Sequence, residues 1–188
     1  MGLFTKKTTT KIAEMEDSLL DLQADINMGA RKVTQEQKKA KDILKKAMGA
    51  PEEQKRMLAT QAKALYTSAR AQSKLLNYRT AAYSMGMELK TALEVQELEQ
   101  GGALKAFQKV LGAHNLKELE KVAVDINKDN EKMGHRLEGI VSRIEDMQDA
   151  YSGPELNDQA LLGIIGEMES LPPESVDKVL DTRLKAGA

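Results

Sequence analysis

The sequence predicts an all-α protein, built as a long antiparallel helical hairpin followed by shorter hinged helices. Two observations lead to this fold class. Apolar and small residues recur in steps of three and four over long stretches that lack proline, as they do on amphipathic helices. The 188 residues include 2 Phe, 4 Tyr and no Trp. The core must therefore form mainly from Leu, Ala, Met, Ile and Val side chains, which suit seams between helices.

The first predicted helix covers residues 11–48, where an apolar seam runs from Ile12 to Ala47 in heptad-like steps. The segment Gly49-Ala50-Pro51 ends this helix, because glycine favours a helix end and proline favours the first turn of the next helix. The join is short, so the second helix should fold back on the first as an antiparallel hairpin.

The second predicted helix covers residues 52–111 and would be about 90 Å long if unbroken, at about 1.5 Å per residue. Gly101-Gly102 could bend it, since glycine is unfavourable inside a helix. This helix is longer than the first one. Its distal part must therefore pack against the rest of the chain or against another copy.

Three shorter helices are expected after the hairpin. Asn115 and Glu118 have the spacing of a capping box and begin a helix over residues 116–151. A short apolar helix is predicted over 155–171, and Pro172-Pro173 introduces a last helix over 174–185. The chain thus divides into a short N-terminal segment (1–10), a helical core (11–151, with the hairpin at 11–111 and the distal helix at 116–151) and an acidic tail (152–188).

Charge is divided unevenly along the chain, although the net charge is only −1. Residues 1–90 carry 17 Lys+Arg and 10 Asp+Glu, whereas the remaining 98 residues carry 11 and 19. The contrast is sharpest between residues 31–79, with 13 basic and 4 acidic residues, and residues 138–181, with 2 and 11. Two such halves can bind each other, or one can be exchanged for an anionic surface. That exchange would be a switch.

No enzyme, cofactor or metal site is expected. The chain has no Cys, which excludes disulfides and thiolate chemistry. His114 falls in a predicted hinge, and His135 has Glu131 and Glu138 within one helical face, which rarely supplies enough ligands for a metal. No glycine-rich phosphate loop is present. No apolar run approaches the roughly 20 residues that span a bilayer, and no signal-peptide core follows Met1, so we expect a cytoplasmic protein in which any contact with a membrane is peripheral.

The basic hairpin is predicted to bind an anionic membrane, where each nearby Lys or Arg contributes about 1 kcal/mol. Nucleic acid is not expected, because Tyr66 and Tyr78 are the only aromatic residues of the basic window that could stack on bases. Leu3 and Phe4 should insert as a small wedge beside the basic residues. The predicted membrane-binding residues are Leu3, Phe4, Lys6, Lys7, Arg31, Lys32, Lys38, Lys39, Lys45, Lys46, Lys55 and Arg56.

Several segments resemble one known family. They are Met1-Gly2-Leu3-Phe4, the stretch from Leu65-Tyr66 through Ser84-Met85-Gly86-Met87 to Leu89, and Asn130-Glu131-Lys132-Met133-Gly134. With the basic hairpin and the acidic C-terminal half, they resemble the ESCRT-III proteins, and within that family the charged multivesicular body proteins of the second and third type. The likeness covers nearly the whole chain. Its short acidic linker would fit an archaeal member of the family.

The last helix resembles the family's type-1 MIT-interacting motif, Asp/Glu-x-x-Leu-x-x-Arg-Leu-x-x-Leu-Lys/Arg. Asp177, Leu180, Arg183 and Leu184 match its spacing, whereas Gly187-Ala188 stands where the motif has Leu and a basic residue. An isolated helix this short is marginal in water. We therefore expect the helix to be mobile until it docks in a groove of an MIT domain, with Arg183 on a carboxylate and Asp177 on a basic residue.

The resemblance implies a filament subunit that remodels membranes in budding or scission. It implies polymerisation with itself and with other ESCRT-III subunits, and recycling by an AAA ATPase that carries an MIT domain. Two alternatives remain open, a phage-shock or vesicle-inducing membrane-maintenance protein of the bacterial type and a nucleic-acid-binding or adaptor coiled coil. Polymer contacts are predicted for the distal apolar residues Leu89, Leu93, Leu98, Leu104, Phe107 and Leu111, with packing inside the chain as the competing outcome.

Overall fold

The computed structural model describes residues 6–150 and 156–186, and the side chains of residues 9–146 and 156–184. All regular structure within these ranges is α-helical, which confirms the predicted all-α class. No helix in the described part is long and apolar enough to cross a bilayer. The helices are α1 (Lys6–Ala47), α2 (Glu52–Glu94), α3 (Gln100–Gly112), α4 (Leu116–Asp129), α5 (Glu131–Ala150), α6 (Asp158–Glu169) and α7 (Pro173–Ala186).

The chain forms two compact units, and both long helices contribute to each. The first unit comprises Met1–Met28 and Leu75–Met147, and the second comprises Gly29–Lys74 and Gln148–Ala188. In the first unit, ion pairs join Glu16 to Lys90 (2.7 Å) and Asp25 to Arg79 (3.2 Å). The residue number in α2 falls from 90 to 79 as the residue number in α1 rises from 16 to 25, so the two helices are antiparallel there.

The predicted turn between the two long helices is confirmed within the second unit. Gly49 has a φ of 71°, the left-handed conformation that glycine adopts readily. The Ala50 amide donates to the carbonyl of Ala47 (3.2 Å), and α2 begins directly after Pro51. Farther from the turn, Gln72 Nε2 donates to Glu36 Oε1 (3.1 Å), so the two helices stay side by side.

The prediction of one helix over residues 52–111 is wrong, because α2 ends at Glu94. Gln96 has a φ of 61°, and the Glu97 amide donates to the carbonyl of Ala92 (2.8 Å) while the Gln96 amide donates to that of Leu93 (3.3 Å). This pair of bonds is a Schellman motif, which closes a helix with a left-handed residue. The break thus precedes Gly101-Gly102, which lies exposed in the first turn of α3.

The prediction of one helix over residues 116–151 is also wrong, since Asn130 separates α4 from α5. Its amide donates to the carbonyl of Ile126 (2.8 Å), and its side-chain oxygen accepts from the amide of Met133 (3.0 Å). Asn130 therefore ends one helix and caps the next. The helices approach closely at Gly134, where a Cβ atom would lie 2.3 Å from the Cβ of Asn127.

The predicted cap at Asn115 is confirmed. Its side-chain oxygen accepts from the amide of Glu118 (3.1 Å). The Glu118 carboxylate accepts from the amide of His114 (2.8 Å), one residue before the position expected for a capping box. This hydrogen bond is the main reason that the pKa of Glu118 lies below its usual range.

The first unit is built around one apolar cluster. Met15 and Leu19 of α1 pack there with the buried face of α2, with α3 and with α4 and α5. Gly86 allows this packing, because a Cβ atom at that position would lie 2.8 Å from Leu19 Cδ2 and 3.1 Å from Phe107 Cε2. The larger buried members of the cluster include Met15, Leu19, Met85, Leu89, Leu93, Phe107, Val110, Leu119, Met133 and Leu137.

Candidate functional site

The acidic tail pairs with the basic hairpin inside the second unit. Four lysines of the hairpin each form an ion pair with a carboxylate of α6 or α7, and we call these four pairs the clasp. They are Lys63–Asp158 (3.2 Å) and Lys55–Glu169 (2.7 Å) with α6, and Lys45–Asp177 and Lys41–Asp181 with α7. The order of the pairs makes α6 antiparallel to α2 and α7 antiparallel to α1.

Glu169 anchors the clasp at the hairpin turn. One of its carboxylate oxygens accepts from the Gly49 amide (2.7 Å), and the other accepts from Lys55 Nζ (2.9 Å). These two bonds, that from Lys55 first, hold the pKa of Glu169 below its usual range. The carboxylate thus binds one charged group and one backbone group that the turn leaves unpaired, which fixes the end of α6 against the turn.

An apolar seam lies beneath the clasp. Leu161, Ile165 and Met168 of α6 and Leu180 of α7 are fully buried. They pack in one cluster with five buried hairpin residues, four of which are alanines that allow close approach. Those hairpin residues are Ala40, Leu44, Ala47, Ala59 and Ala62. Because exposed ion pairs stabilise weakly, this seam supplies most of the attraction and the clasp sets the position of the tail.

The residues of the predicted MIT-interacting motif already have partners within the chain. Leu180 is fully buried, and Leu184 packs against the same cluster. Asp177 pairs with Lys45, and Arg183 donates to both oxygens of Glu167 (3.0 and 3.1 Å). Glu167 is the main reason that the pKa of Arg183 is raised. The expectation of a mobile helix is therefore wrong, since α7 docks on its own chain through the side chains that were expected to bind a partner.

The structure divides the predicted membrane-binding cations into two sets. Lys45 and Lys55 belong to the clasp, and Arg56 lies 3.6 Å from Glu52. The other set on α1 is exposed, and no described residue forms an ion pair with any of its members. This set, the α1 stripe, consists of Arg31, Lys32, Lys38, Lys39 and Lys46.

The structure does not describe the side chains of four predicted membrane-binding residues. Leu3 and Phe4 fall outside the described residues, and the side chains of Lys6 and Lys7 are not described, although both belong to α1. The proposed insertion of Leu3 and Phe4 stays a prediction. Sequence reasoning also missed Lys41 and Lys63 as members of the clasp. Their position in the basic window was the only signal for them.

The predicted polymer-contact residues lie mostly in the core of the first unit. Leu89, Leu93 and Phe107 are buried there, and Leu98 and Leu104 pack against the cluster. Leu111 is 37% exposed. In this conformation five of the six residues therefore pack inside the chain, which was the alternative to polymer contacts. Their role in a polymer stays a prediction.

The histidine face on α5 has the geometry that the spacing predicts. His135 lies 3.3 Å from Glu138 and 3.7 Å from Glu131. It borders a shallow groove with Glu88, Arg136 and Arg143. Arg136 bridges Glu88 (2.8 Å) and Glu97, so its charge is already balanced. Among the described residues, no group of His, Asp and Glu has an arrangement that could hold a metal ion.

Comparison of the chain with models of known protein families, with curated proteins and with solved structures finds no match.

Proposed function

We propose that this chain is an ESCRT-III-like filament subunit that binds anionic membrane, and that its acidic tail holds the hairpin in a closed form. The clasp is the observation that carries the proposal. It places α6, which has three acidic and no basic residues, and α7, which has three of each, on a basic helical hairpin through four ion pairs. A surface whose lysines pair with four carboxylates of its own chain has the charge to bind another anionic partner.

The proposal includes release of the tail. The ion pairs of the clasp are exposed to solvent to different degrees, so salt or a competing anionic surface can weaken them. The apolar seam that includes Leu161 and Leu180 opposes release of the tail. The tail therefore stays docked until an anionic surface competes for the lysines or a partner binds α7. The AAA ATPase with an MIT domain is the partner that the motif on α7 suggests.

The filament part of the proposal requires contacts between copies. The first unit exposes single apolar side chains on several helices, among them Leu20, Leu111 and Val124, which are 63%, 37% and 43% exposed. A contact that joins different surfaces of neighbouring copies does not close on itself and gives a filament. Opening of the first unit would add the buried residues Leu89, Leu93 and Phe107 to such contacts.

Vesicle co-sedimentation tests the membrane part. The full chain should sediment with vesicles that contain phosphatidylserine and not with pure phosphatidylcholine. The bound fraction should fall with salt, because the Debye length shortens from about 10 Å at 0.1 M to about 3 Å at 1 M. Binding that is indifferent both to salt and to the anionic lipid would contradict the proposal.

A further inference from the structure

We infer that the α1 stripe binds anionic lipid while the tail is still docked, so that attachment to a membrane precedes release of the clasp. The inference rests on the proposed function and names the surface and the order of events. A simple exchange switch would require the tail to leave the membrane-binding cations first. In the structure, some cations of the hairpin pair with the tail, whereas other cations of the same hairpin are exposed to solvent.

The α1 stripe forms two neighbouring rows on one helix face. Lys32, Lys39 and Lys46 are seven residues apart, and so are Arg31 and Lys38. Residues at that spacing lie almost in line, since seven residues make nearly two turns of an α-helix. From residue 31 to residue 46 the rows extend for about 22 Å at 1.5 Å per residue. All five side chains are exposed, and Asp42 is the one acidic residue within the same face.

The tail adjoins the Arg31–Lys38 row and lies away from the row of Lys32, Lys39 and Lys46. Lys41 pairs with Asp181 of α7, and Lys39 is only two residues away in sequence. Two residues correspond to a rotation of about 200° around the helix axis, so these two lysines point to nearly opposite sides. Lys45 turns to the same side as Lys41 and pairs with Asp177. Lys45 is seven residues from Lys38 and so lies in line with the Arg31–Lys38 row, which adjoins the docked tail. All five side chains of the α1 stripe nevertheless stay exposed with α7 docked, and the row of Lys32, Lys39 and Lys46 turns farthest from it.

Lipid fits the α1 stripe better than nucleic acid does. A straight row of cations on a rigid helix can meet a flat layer of anionic headgroups along its whole length. Nucleic acid without a recognition module would need stacking side chains beside the cations. The stripe has none, and Tyr66 packs in the apolar cluster beneath the tail, where its hydroxyl has no hydrogen-bond partner among the described residues. Burial, and then Asp181, raise the pKa of Tyr66.

Two matched sets of substitutions separate the surfaces in the full chain. The stripe variant is Lys32→Glu, Lys39→Glu and Lys46→Glu. The clasp variant is Asp158→Asn, Glu169→Gln and Asp177→Asn, which keeps every lysine. On vesicles of phosphatidylcholine with phosphatidylserine, we expect the stripe variant to bind at least about tenfold more weakly than the wild type, because three attractions become repulsions. The clasp variant should bind at least as tightly as the wild type, since it leaves the stripe unchanged and removes three carboxylates from the hairpin surface.

Hydrogen exchange on the vesicle-bound wild type gives an independent readout of the order of events. The amides of α7 around Leu180 should keep the protection that they have in solution. Loss of that protection on binding would overturn the inference, and so would vesicle binding by the clasp variant without binding by the wild type, although both results would leave the proposed function standing.

Other outcomes separate the inference from the proposed function. If neither the wild type nor the clasp variant binds the vesicles, the membrane function itself is wrong. Tighter binding of the wild type to duplex DNA than to vesicles would overturn the assignment to lipid. Circular dichroism of the stripe variant should match that of the wild type, because the three lysines are exposed and have no ion-pair partner among the described residues.

Discussion

Gly134 has a packing role that Gly139 of the same helix lacks. A Cβ atom at Gly134 would lie 2.3–2.4 Å from the Cβ and Cα atoms of Asn127, so backbone would have to move. A Cβ atom at Gly139 would meet nothing within 4 Å. We expect Gly134→Ala to lower the free energy of unfolding by about 1–3 kcal/mol, and Gly139→Ala to raise it by up to about 1 kcal/mol. Urea unfolding followed by circular dichroism measures both, and equal effects would contradict the packing role.

Glu169 makes the clasp sensitive to acid. Its pKa is lower in the folded chain than in the unfolded one, because Lys55 and the Gly49 amide favour the carboxylate. Its contribution to stability is therefore complete at neutral pH and is lost as the pH falls below about 4, the usual range of a glutamate. We expect the protection of α6 amides, expressed relative to their intrinsic exchange rate at each pH, to fall in that window compared with pH 7. Glu169→Gln should remove this part of the pH dependence, and an unchanged profile in that variant would argue against the anchor.

At the scale of elements, the break between α2 and α3 depends on Gln96. A residue other than glycine in the left-handed region costs about 1–2 kcal/mol, and glycine removes that cost at some loss of chain entropy. We expect Gln96→Gly to raise the free energy of unfolding by up to about 1 kcal/mol, and Gln96→Val to lower it by about as much. Thermal unfolding of the two variants compares them. Stabilisation by Val would mean that the Schellman motif does not hold this break.

Local signals predicted the joins that depend on special residues. Gly49 and Pro51 marked the hairpin turn, and Asn115 marked the start of α4. The breaks at Gln96 and Asn130 were missed because neither contains a glycine or proline, and because contacts between distant segments accompany their local caps. The Glu97 carbonyl accepts from Asn130 Nδ2 (3.2 Å), and the Glu97 carboxylate binds Arg136 and Lys132. These bonds join segments more than 30 residues apart, which periodicity cannot pair.

The candidate site was predictable in its chemistry and not in its pairing. The opposite charge of the two halves indicated that they could bind each other, and the second unit contains such contacts. Which lysine meets which carboxylate depends on the direction in which α6 and α7 lie along the hairpin. That direction depends on contacts between segments far apart in the chain, namely the clasp and the apolar seam around Leu161 and Leu180. The motif spacing marked Leu180 and Leu184 on the last helix, and the sequence contained no signal for the surface that covers them.

At the scale of the whole molecule, docking of α7 should limit access to the proposed ATPase partner. Leu180 cannot be buried in the hairpin and in an MIT groove at once. We expect a peptide of residues 174–188 to bind the MIT domain more tightly than the full chain does, and Leu180→Asp to abolish binding of the peptide. Calorimetric titration measures both affinities. Equal affinity of peptide and full chain would show that α7 is not masked, and equal binding by wild-type and substituted peptides would leave α7 an ordinary end helix.

Negative-stain electron microscopy of the full chain, with and without phosphatidylserine vesicles, tests the central claim most directly. We expect filaments on the vesicles, and more of them for the clasp variant, because weaker docking favours release of the tail and hence assembly. Leu111→Asp should reduce them without loss of helix content, since Leu111 is exposed, whereas a charge at buried Phe107 would also disturb the fold. A wild-type chain and a clasp variant that both stay monomeric at high concentration with anionic lipid present would contradict the claim.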